Sequence, residues 1–236
     1  MFVRVMSHLP RSPRCAICRA PFAGVGGRLM GPMGFSPSRK NPQLCDRCFE
    51  MIPMGGHEME VGVLFADIRG FTSFTENQKP DQVVDLLNRF YGCAVEVLCQ
   101  HAIVDKLVGD EVMALYLPGL FDGEPIGDML ADAESLLTAA GYGDRDPWVE
   151  VGIGLDYGPA FVGNVGAGEV KDFTAIGDVV NTAARLQGAA ASGEIVIAAG
   201  LGERLGSDAA HTSPRELNLK GKSRPERALV RSMDRR

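Results

Sequence analysis

The distribution of apolar residues divides the chain near residue 57. Residues 1–50 show no regular hydrophobic period and are rich in glycine and proline. They can bury little apolar surface by themselves and need a cross-link, such as a disulfide or a metal site, to fold. Residues 51–59 contain Pro53, Gly55 and Gly56 and are predicted to be a linker. From residue 60 to residue 232, short apolar runs alternate with amphipathic stretches, which predicts one larger domain of alternating strands and helices.

The apolar runs of this larger domain predict strands, and the stretches with helical spacing predict helices. The expected strands are residues 61–66, 102–108, 112–117, 149–155, 159–165, 194–198, 216–220 and 228–231. The expected helices are residues 71–77, a helix that begins at Pro80, residues 129–140 and residues 178–187. Gly109-Asp110 is a hairpin turn signal. This order predicts an α+β fold with helices packed on one face of a mainly antiparallel sheet.

The first 50 residues hold four of the six cysteines, as two Cys-x-x-Cys pairs. These are Cys15 with Cys18 and Cys45 with Cys48, and 26 residues lie between the pairs. A two-residue spacer lets both sulfurs of a pair face one ion, which is typical of tetrahedral zinc sites. We therefore predict one structural Zn²⁺ per chain in a zinc-ribbon-like module over residues 1–50. Disulfides and an iron–sulfur or redox-active dithiol site are the alternatives, although nothing in the sequence points to export.

Charge separates the two regions as well. Residues 1–50 hold eight basic and two acidic residues, for a net charge of +6, whereas the whole chain carries −6. A basic module can contact an acidic partner or a phosphate backbone. Because its aromatic residues are only four phenylalanines, a base-stacking platform for nucleic acid is not expected. We expect instead a structural module, or one that docks a regulatory protein partner.

Composition and hydropathy limit the class of protein. The chain is 45% hydrophobic, which excludes a mainly disordered protein. No apolar run approaches 18 residues, so no membrane-spanning helix is expected. Without a signal-peptide pattern, the expected location is the cytoplasm.

Two aspartates occupy the ends of predicted strands. Asp67 ends the first strand of the larger domain, and Asp110 lies in the turn of the following hairpin. If these strands are neighbours, the two carboxylates converge at one end of the sheet. Paired carboxylates suit Mg²⁺ or Mn²⁺, which prefer hard oxygen ligands and leave positions for substrate phosphates. Aspartate is common at strand ends, so this spacing alone is a weak signal.

A wider set of motifs surrounds the two aspartates. The motifs are Phe65-x-Asp67-Ile68-x-Gly70-Phe71-Thr72, Lys106-x-x-Gly109-Asp110-x-x-Met113-Ala114, Gly163-x-Val165-Gly166, Thr174-x-Ile176-Gly177-Asp178-x-Val180-Asn181-x-Ala183-x-Arg185-Leu186 and Leu219-Lys220-Gly221. In this order and spacing they resemble the catalytic domain of the class III adenylate and guanylate cyclases. The resemblance runs from about Glu60 to Val230 and implies a ferredoxin-like, palm-type domain. The cysteine module resembles zinc-ribbon-like segments that precede such domains in some bacterial proteins.

The resemblance implies that ATP is converted to 3′,5′-cyclic AMP and pyrophosphate with two Mg²⁺ or Mn²⁺ ions per active site. The metal ligands would be Asp67, Asp110 and the carbonyl of Ile68. Lys106 and Thr174 match the positions that read the base. A lysine is only a donor, so Lys106 suits N1 of adenine, which is an acceptor.

The remaining family positions match residues near the end of the chain. Asn181 would orient the ribose, Arg185 would stabilise the transition state and Lys220 would bind the triphosphate. In the family, one protomer supplies the two aspartates and the other supplies Lys106, Thr174, Asn181, Arg185 and Lys220. A head-to-tail homodimer with two equivalent sites is therefore expected.

Two positions depart from the family pattern. Thr174 stands where many members carry an aspartate. Gly152 stands where some members carry a further phosphate-contacting arginine. A catalytically weak domain that serves binding or regulation is the second functional hypothesis. The presence of both aspartates, Asn181 and Arg185 argues against it.

Overall fold

The computed structural model describes residues 13–39, 41–52, 54–143, 146–167, 170–218 and 225–233. These residues form two compact units. The larger unit is built from Met59–Ala160 and the described residues from Ile176 onward. The smaller unit contains the described residues up to Glu58 together with Phe161–Ala175. Phe161–Ala175, which the sequence placed in the larger domain, thus groups with the N-terminal residues.

The described strands form one sheet. They are β1 Gly55–Ile68, β2 Ile103–Val108, β3 Glu111–Tyr116, β4 Val151–Ala167, β5 Val170–Ile176, β6 Glu194–Ala198, β7 Ser213–Leu217 and β8 Glu226–Ser232. The strand order is β2-β3-β1-β4-β6-β8-β7, and β5 pairs with β4 outside this path. The β4–β6 pair is parallel, while β1–β3, β2–β3, β6–β8 and β7–β8 are antiparallel. The predicted mainly antiparallel α+β fold is confirmed.

The helices alternate with these strands along the chain. They are α1 Gly24–Met30, α2 Asp46–Met51, α3 Phe71–Thr75, α4 Pro80–Leu98, α5 Pro125–Ala140, α6 Asp178–Ala189 and α7 Ala199–Leu205, with 3₁₀ turns at Gly31–Met33 and Gly206–Ala209. Helices α4 and α5 begin at Pro80 and Pro125, because a first-turn position needs no N–H and suits the fixed φ of proline. Among the described residues, none of the helices is both long and apolar enough to cross a membrane.

The sheet of the larger unit carries helices on both faces. One face is covered by α4, α5 and α7, whose apolar side chains share a core with alternate residues of the strands. The other face carries α6, because Leu186 packs with Val196 of β6 and Val230 of β8. Adjacent residues of β6 point to opposite faces, as the two-residue period of a strand requires. The prediction that the helices pack on one face of the sheet is therefore wrong for α6, which packs on the other face.

Strand β4 supplies the surface on which α6 rests. Val151, Ile153 and Leu155 are fully buried and belong to the core under α4 and α5. Gly152 and Gly154 alternate with them on the opposite face. A Cβ atom at Gly154 would lie 2.2 Å from the backbone nitrogen of Gln187, so glycine is needed for α6 to lie against the strand.

The smaller unit is held by short-range structure around its cysteines. Isolated β-bridges pair Arg14 with Pro21 and Pro37 with Cys45. Asn164, which is only 1% exposed, donates its Nδ2 hydrogen bond to the carbonyl of Ile52 at 2.8 Å. This bond ties the segment Phe161–Ala175 to the N-terminal residues of the unit.

Several element boundaries differ from the sequence predictions. Strand β1 begins at Gly55, inside the predicted linker, and the single strand β4, Val151–Ala167, replaces the two strands predicted at residues 149–155 and 159–165. The parallel pairing with β6 runs over Ile153–Leu155, so Pro159 lies beyond it and need not donate a hydrogen bond there. Strand β5 and helix α7 had no prediction.

Candidate active site

The two predicted metal-binding aspartates lie at the same end of the sheet. The Cα of Asp67, near the end of β1, pairs with Glu111 at the start of β3. Asp110 precedes Glu111 in the β2–β3 turn, and the N–H of Ile68 donates to the Asp110 carbonyl at 3.3 Å. The two carboxylates converge because β1 and β3 are neighbouring antiparallel strands.

The β2–β3 turn is fixed by its glycine and by a tyrosine. Gly109 has a φ of 64°, a left-handed conformation that favours glycine. Its carbonyl accepts a hydrogen bond from the hydroxyl of Tyr91 on α4. Helix α4 thus holds the turn that presents Asp110.

Negative charge is concentrated at this end of the sheet. The pKa of the Asp67 carboxyl is raised to about 7, chiefly by burial and then by the neighbouring Asp110 carboxyl, although Arg69 and Gln187 act in the opposite direction. Burial and the Asp110 charge also raise the pKa of Glu111 and of Tyr91. A cation at this position would relieve the repulsion between the carboxylates.

The two oxygens of Asp67 have different surroundings. Oδ2 lies 2.8 Å from Nη2 of Arg69 and accepts a hydrogen bond of 3.0 Å from Nε2 of Gln187. Oδ1 is buried and has no hydrogen-bond partner within the part of the chain that the structure describes. A buried carboxylate oxygen without a partner is costly, and a divalent cation would satisfy it. The carboxylate pair therefore fits a hard cation.

Arg69 and Gln187 were not singled out by the sequence. Gln187 is 3% exposed and comes from the last turns of α6, 120 residues after Asp67. Nη1 of Arg69 lies 3.4 Å from the carbonyls of Gln187 and Ala190. No local signal marks these residues, because their contacts depend on α6 packing against the end of β1.

Helix α6 carries the two residues matched to ribose and transition-state binding. Asn181 is exposed and Arg185 is half-buried, and a spacing of four places them on one face of the helix. Their side chains make no hydrogen bond or ion pair with other described residues. Both are therefore available to a ligand or to another chain.

Lys106 lies on the edge strand β2. Its side chain is 38% exposed, and its Nζ lies 3.8 Å from Oδ2 of Asp105, whose side chain is fully buried. The pairing of β2 with β3 is irregular between Val104 and Lys106. Such a bulge changes the direction of nearby side chains.

The other two residues matched to substrate binding are described less fully. Thr174 is a buried residue of β5 and belongs to the smaller unit. Lys220 lies outside the described residues. The structure therefore brings together Asp67 and Asp110, and it places Asn181 and Arg185 on one helix.

The four predicted zinc ligands form a cluster in the smaller unit. The sulfur atoms of Cys15, Cys18, Cys45 and Cys48 all lie within 4.8 Å of one another. The Cys18 and Cys45 sulfurs are 3.8 Å apart. All four are free cysteines, three of them buried. Tetrahedral thiolate coordination needs such a convergence.

Backbone N–H groups point at two of these sulfurs. The N–H of Cys45 donates to the Cys15 sulfur and the N–H of Cys48 to the Cys45 sulfur, both at 3.3 Å. Although burial opposes it, backbone hydrogen bonds hold the pKa of Cys15 below its ordinary value. Burial raises the pKa of Cys18 to about 12. A bound cation would stabilise all four thiolates together, so the cluster is compatible with zinc.

Comparison with known proteins identifies the larger part of the chain. The sequence model of the family described as "Adenylate and Guanylate cyclase catalytic domain" matches residues 55–231. The uncharacterized protein Rv1319c of Mycobacterium tuberculosis is 36% identical over 163 residues, which are 68% of this chain. This chain spans only 28% of the length of that relative.

Solved cyclase structures share the fold. The guanylyl cyclase Cya2 is similar with a TM-score of 0.68 and 27% identity, over 77% of this chain and 96% of that one. The adenylyl cyclase CyaB from P. aeruginosa is similar with a TM-score of 0.64 and 27% identity, over 76% and 96% of the two chains. From the family match and this shared fold, the chain belongs to the adenylate and guanylate cyclase catalytic domain family.

Proposed function

We propose that the protein is an adenylate cyclase that converts ATP to 3′,5′-cyclic AMP and pyrophosphate. The observation that carries the proposal is the convergence of Asp67 and Asp110, with one buried carboxylate oxygen still without a partner, in a domain of the cyclase family. Asp67, Asp110 and the carbonyl of Ile68 would hold the two divalent cations. When bound, Mg²⁺ or Mn²⁺ would lower the pKa of the ribose 3′-hydroxyl and neutralise the triphosphate.

The reaction is an in-line displacement at the α-phosphorus. The 3′-hydroxyl releases its proton to solvent, the 3′-oxygen forms the new bond to phosphorus, and the bond to the pyrophosphate oxygen breaks. Asn181 orients the ribose so that the 3′-hydroxyl faces the α-phosphorus. Arg185 donates hydrogen bonds to the α-phosphoryl oxygens as they gain negative charge, and Lys220 binds the departing pyrophosphate.

The choice of ATP over GTP rests on Lys106 and Thr174. Lys106 is partly exposed, and the fully buried Asp105 carboxylate lies beside its ammonium group, so its charge is held at a defined place. As a donor it suits N1 of adenine, and the Thr174 hydroxyl can accept from the 6-amino group. N1 of guanine carries a proton and would face Lys106 as a second donor.

The base preference can be tested by charge reversal. Lys106→Glu should reduce kcat/KM for ATP at least about tenfold more than kcat/KM for GTP. The variant loses the hydrogen bond from the lysine ammonium to N1 of adenine, and its carboxylate repels that acceptor. Lys79→Glu, at an exposed lysine before α4, is the matched control and should leave the ATP/GTP ratio unchanged. Equal losses with both nucleotides in Lys106→Glu would refute the base-reading role.

The surroundings of Asn181 and Arg185 among the described residues support a site shared between two chains. The side chains of Asn181 and Arg185 make no hydrogen bond or ion pair with the described residues. Asp67, in contrast, contacts Arg69 and Gln187 of its own chain. We infer a head-to-tail homodimer in which one protomer supplies Asp67 and Asp110 and its partner supplies the remaining residues. Two equivalent sites would result.

We infer that the cysteine cluster binds one structural Zn²⁺. The mutual approach of four sulfurs and their backbone N–H donors support this assignment. The smaller unit would then dock a regulatory protein partner rather than nucleic acid. We expect the protein to act in the cytoplasm.

A further inference from the structure

Arg69 is held at several points beside the carboxylate pair. Its Nη2 lies 2.8 Å from Oδ2 of Asp67, and its Nη1 lies 3.4 Å from the carbonyls of Gln187 and Ala190 at the end of α6. The side chain is 20% exposed. Because the guanidinium is planar and its donors point in fixed directions, these contacts set its position and not only its charge.

The space for this guanidinium comes from a glycine. A Cβ atom at Gly152 would lie 3.2 Å from Nε of Arg69, and 3.1 Å from both the Cβ and the carbonyl oxygen of Ala190. These distances are tighter than ordinary van der Waals contact. A Cβ atom at this position would require Arg69 or Ala190 to shift by a few tenths of an ångström, so Gly152 leaves the space in which Arg69 lies.

The arrangement puts a positive charge where the metal site requires one. The carboxyls of Asp67 and Asp110 are close enough at the end of the sheet to interact, and two nearby carboxylates repel unless a cation lies between or beside them. Arg69 supplies that cation from the same chain. A divalent ion that binds Asp67 must therefore either displace Nη2 of Arg69 or accept a unit positive charge beside it.

We propose that Arg69 is a positioning residue that substitutes for a divalent cation at Asp67 until the metal binds, and that Gly152 makes room for it. The guanidinium keeps Asp67 in place and ties the end of β1 to the end of α6. A metal ion bound through Oδ1, which has no partner among the described residues, would have the guanidinium charge beside it, so Arg69 would oppose metal binding unless it moves away from Oδ2. This inference rests on the proposed metal site at Asp67 and Asp110.

The first test measures thermal unfolding in buffer freed of Mg²⁺ and Mn²⁺ by a chelating resin. Arg69→Gln should lower Tm by about 3–6 °C, whereas the same change in an Asp67→Asn background should lower it by less than about 2 °C. Arg69→Lys keeps the charge and should recover about half of the loss. Arg204→Gln is the matched control, because Arg204 forms an exposed ion pair of the same 2.8 Å length with Glu60. Equal losses in both Asp67 backgrounds would overturn the proposal.

The second test measures Mn²⁺ binding without nucleotide, from the electron paramagnetic resonance signal of free Mn²⁺. Arg69→Gln removes the competing cation, so it should bind Mn²⁺ about three- to tenfold more tightly than the wild type. Gly152→Ala should shift the affinity in the same direction, and Gly188→Ala, at a glycine with open space around it, should not. A merely structural role for Arg69 predicts weaker binding in the variant.

The outcomes separate this inference from the proposed function. Unchanged or weaker Mn²⁺ binding by Arg69→Gln, with binding abolished by Asp110→Asn, would overturn the role of Arg69 and leave the metal site standing. Mn²⁺ binding that survives Asp110→Asn would instead refute the metal site itself. If Arg69→Gln does not fold, Arg69→Lys and Gly152→Ala are compared with the wild type in the same two measurements.

Discussion

Gly154 lets helix α6 lie against strand β4 because it has no side chain. Its Cβ would lie 2.2 Å from the nitrogen of Gln187 and 2.3 Å from the carbonyl oxygen of Ala183, both backbone atoms of α6. Backbone cannot rotate away as a side chain can, so the whole helix would have to move. Gln187 would then lose its hydrogen bond to Asp67, and Arg185 would shift with the same helix.

We therefore expect Gly154→Ala to be destabilising although alanine is a small residue. The free energy of unfolding should fall by about 2–3 kcal/mol, as for other insertions into a closely packed contact. Urea unfolding followed by circular dichroism measures this change. Gly188→Ala, within α6 but with no atom near its Cβ, should be neutral or slightly stabilising. A small effect at Gly154 would show that α6 is not fixed against β4.

Single residues differ in how far the sequence could reveal them. The convergence of Asp67 and Asp110 was predictable, because both lie at strand ends and adjacent strands bring such ends together, whereas their role as metal ligands came from the family resemblance. The contacts of Gln187 with Arg69 and Asp67 were not predictable, because they span 118 and 120 residues and depend on where α6 packs. Long-range side-chain contacts of this kind leave no periodic signal.

At the scale of elements, the end of the sheet depends on how β7 is attached. Arg215 of β7 donates two hydrogen bonds to Glu194 of β6, at 2.8 and 2.7 Å, across the intervening strand β8. Glu194 also accepts from the N–H of Ala191, just after α6. Hydrogen bonds from Arg215 are the main reason that the pKa of Glu194 is lowered. The pair links β7 to β6, and Glu194 also holds the segment that follows α6.

This pair predicts a pH dependence of stability. Because the pKa of Glu194 is lowered in the folded protein, its stabilisation is present above the ordinary glutamate pKa of about 4.3 and is lost as pH falls through the lower folded value. Glu194→Gln should lower the free energy of unfolding by about 1 kcal/mol at pH 7. This difference from the wild type should shrink below a pH of about 4. Urea unfolding at several pH values measures the difference. A difference that stays constant down to about pH 3 would contradict the ionic role of Glu194.

Elements with a strong hydrophobic period were the most predictable. Helix α6 and strand β6 were expected at nearly their observed positions, and the mainly antiparallel sheet followed from the order of elements. Strand β5 had no prediction, and β4 was divided in two at Gly158-Pro159. Turn-forming residues suggested a break there, whereas pairing within the sheet maintains an extended chain.

At the scale of the whole molecule, each proposed active site is built by two chains. Asp67→Ala and Arg185→Ala chains should each be inactive alone, since each homodimer has the same defect at both sites. Mixing the two chains should restore up to about a quarter of wild-type activity, because half of the dimers are mixed and each has one intact site. Activity of the mixed, refolded or co-expressed chains measures this rescue. No rescue, with mixed dimers present by mass spectrometry, would contradict a shared site.

Product formation from ATP and GTP is the direct test of the proposed adenylate cyclase activity. Purified protein would be incubated with each nucleotide in Mg²⁺ and separately in Mn²⁺, and the products separated by chromatography. Asp110→Ala is the blank, and Asp85→Ala, at an exposed aspartate of α4, is its matched control. We predict 3′,5′-cyclic AMP and pyrophosphate from ATP, formed by the wild type and by Asp85→Ala and absent in Asp110→Ala. Equal cyclic AMP formation by Asp110→Ala, or none by a wild-type dimer that binds Mn²⁺ and ATP, would contradict the account.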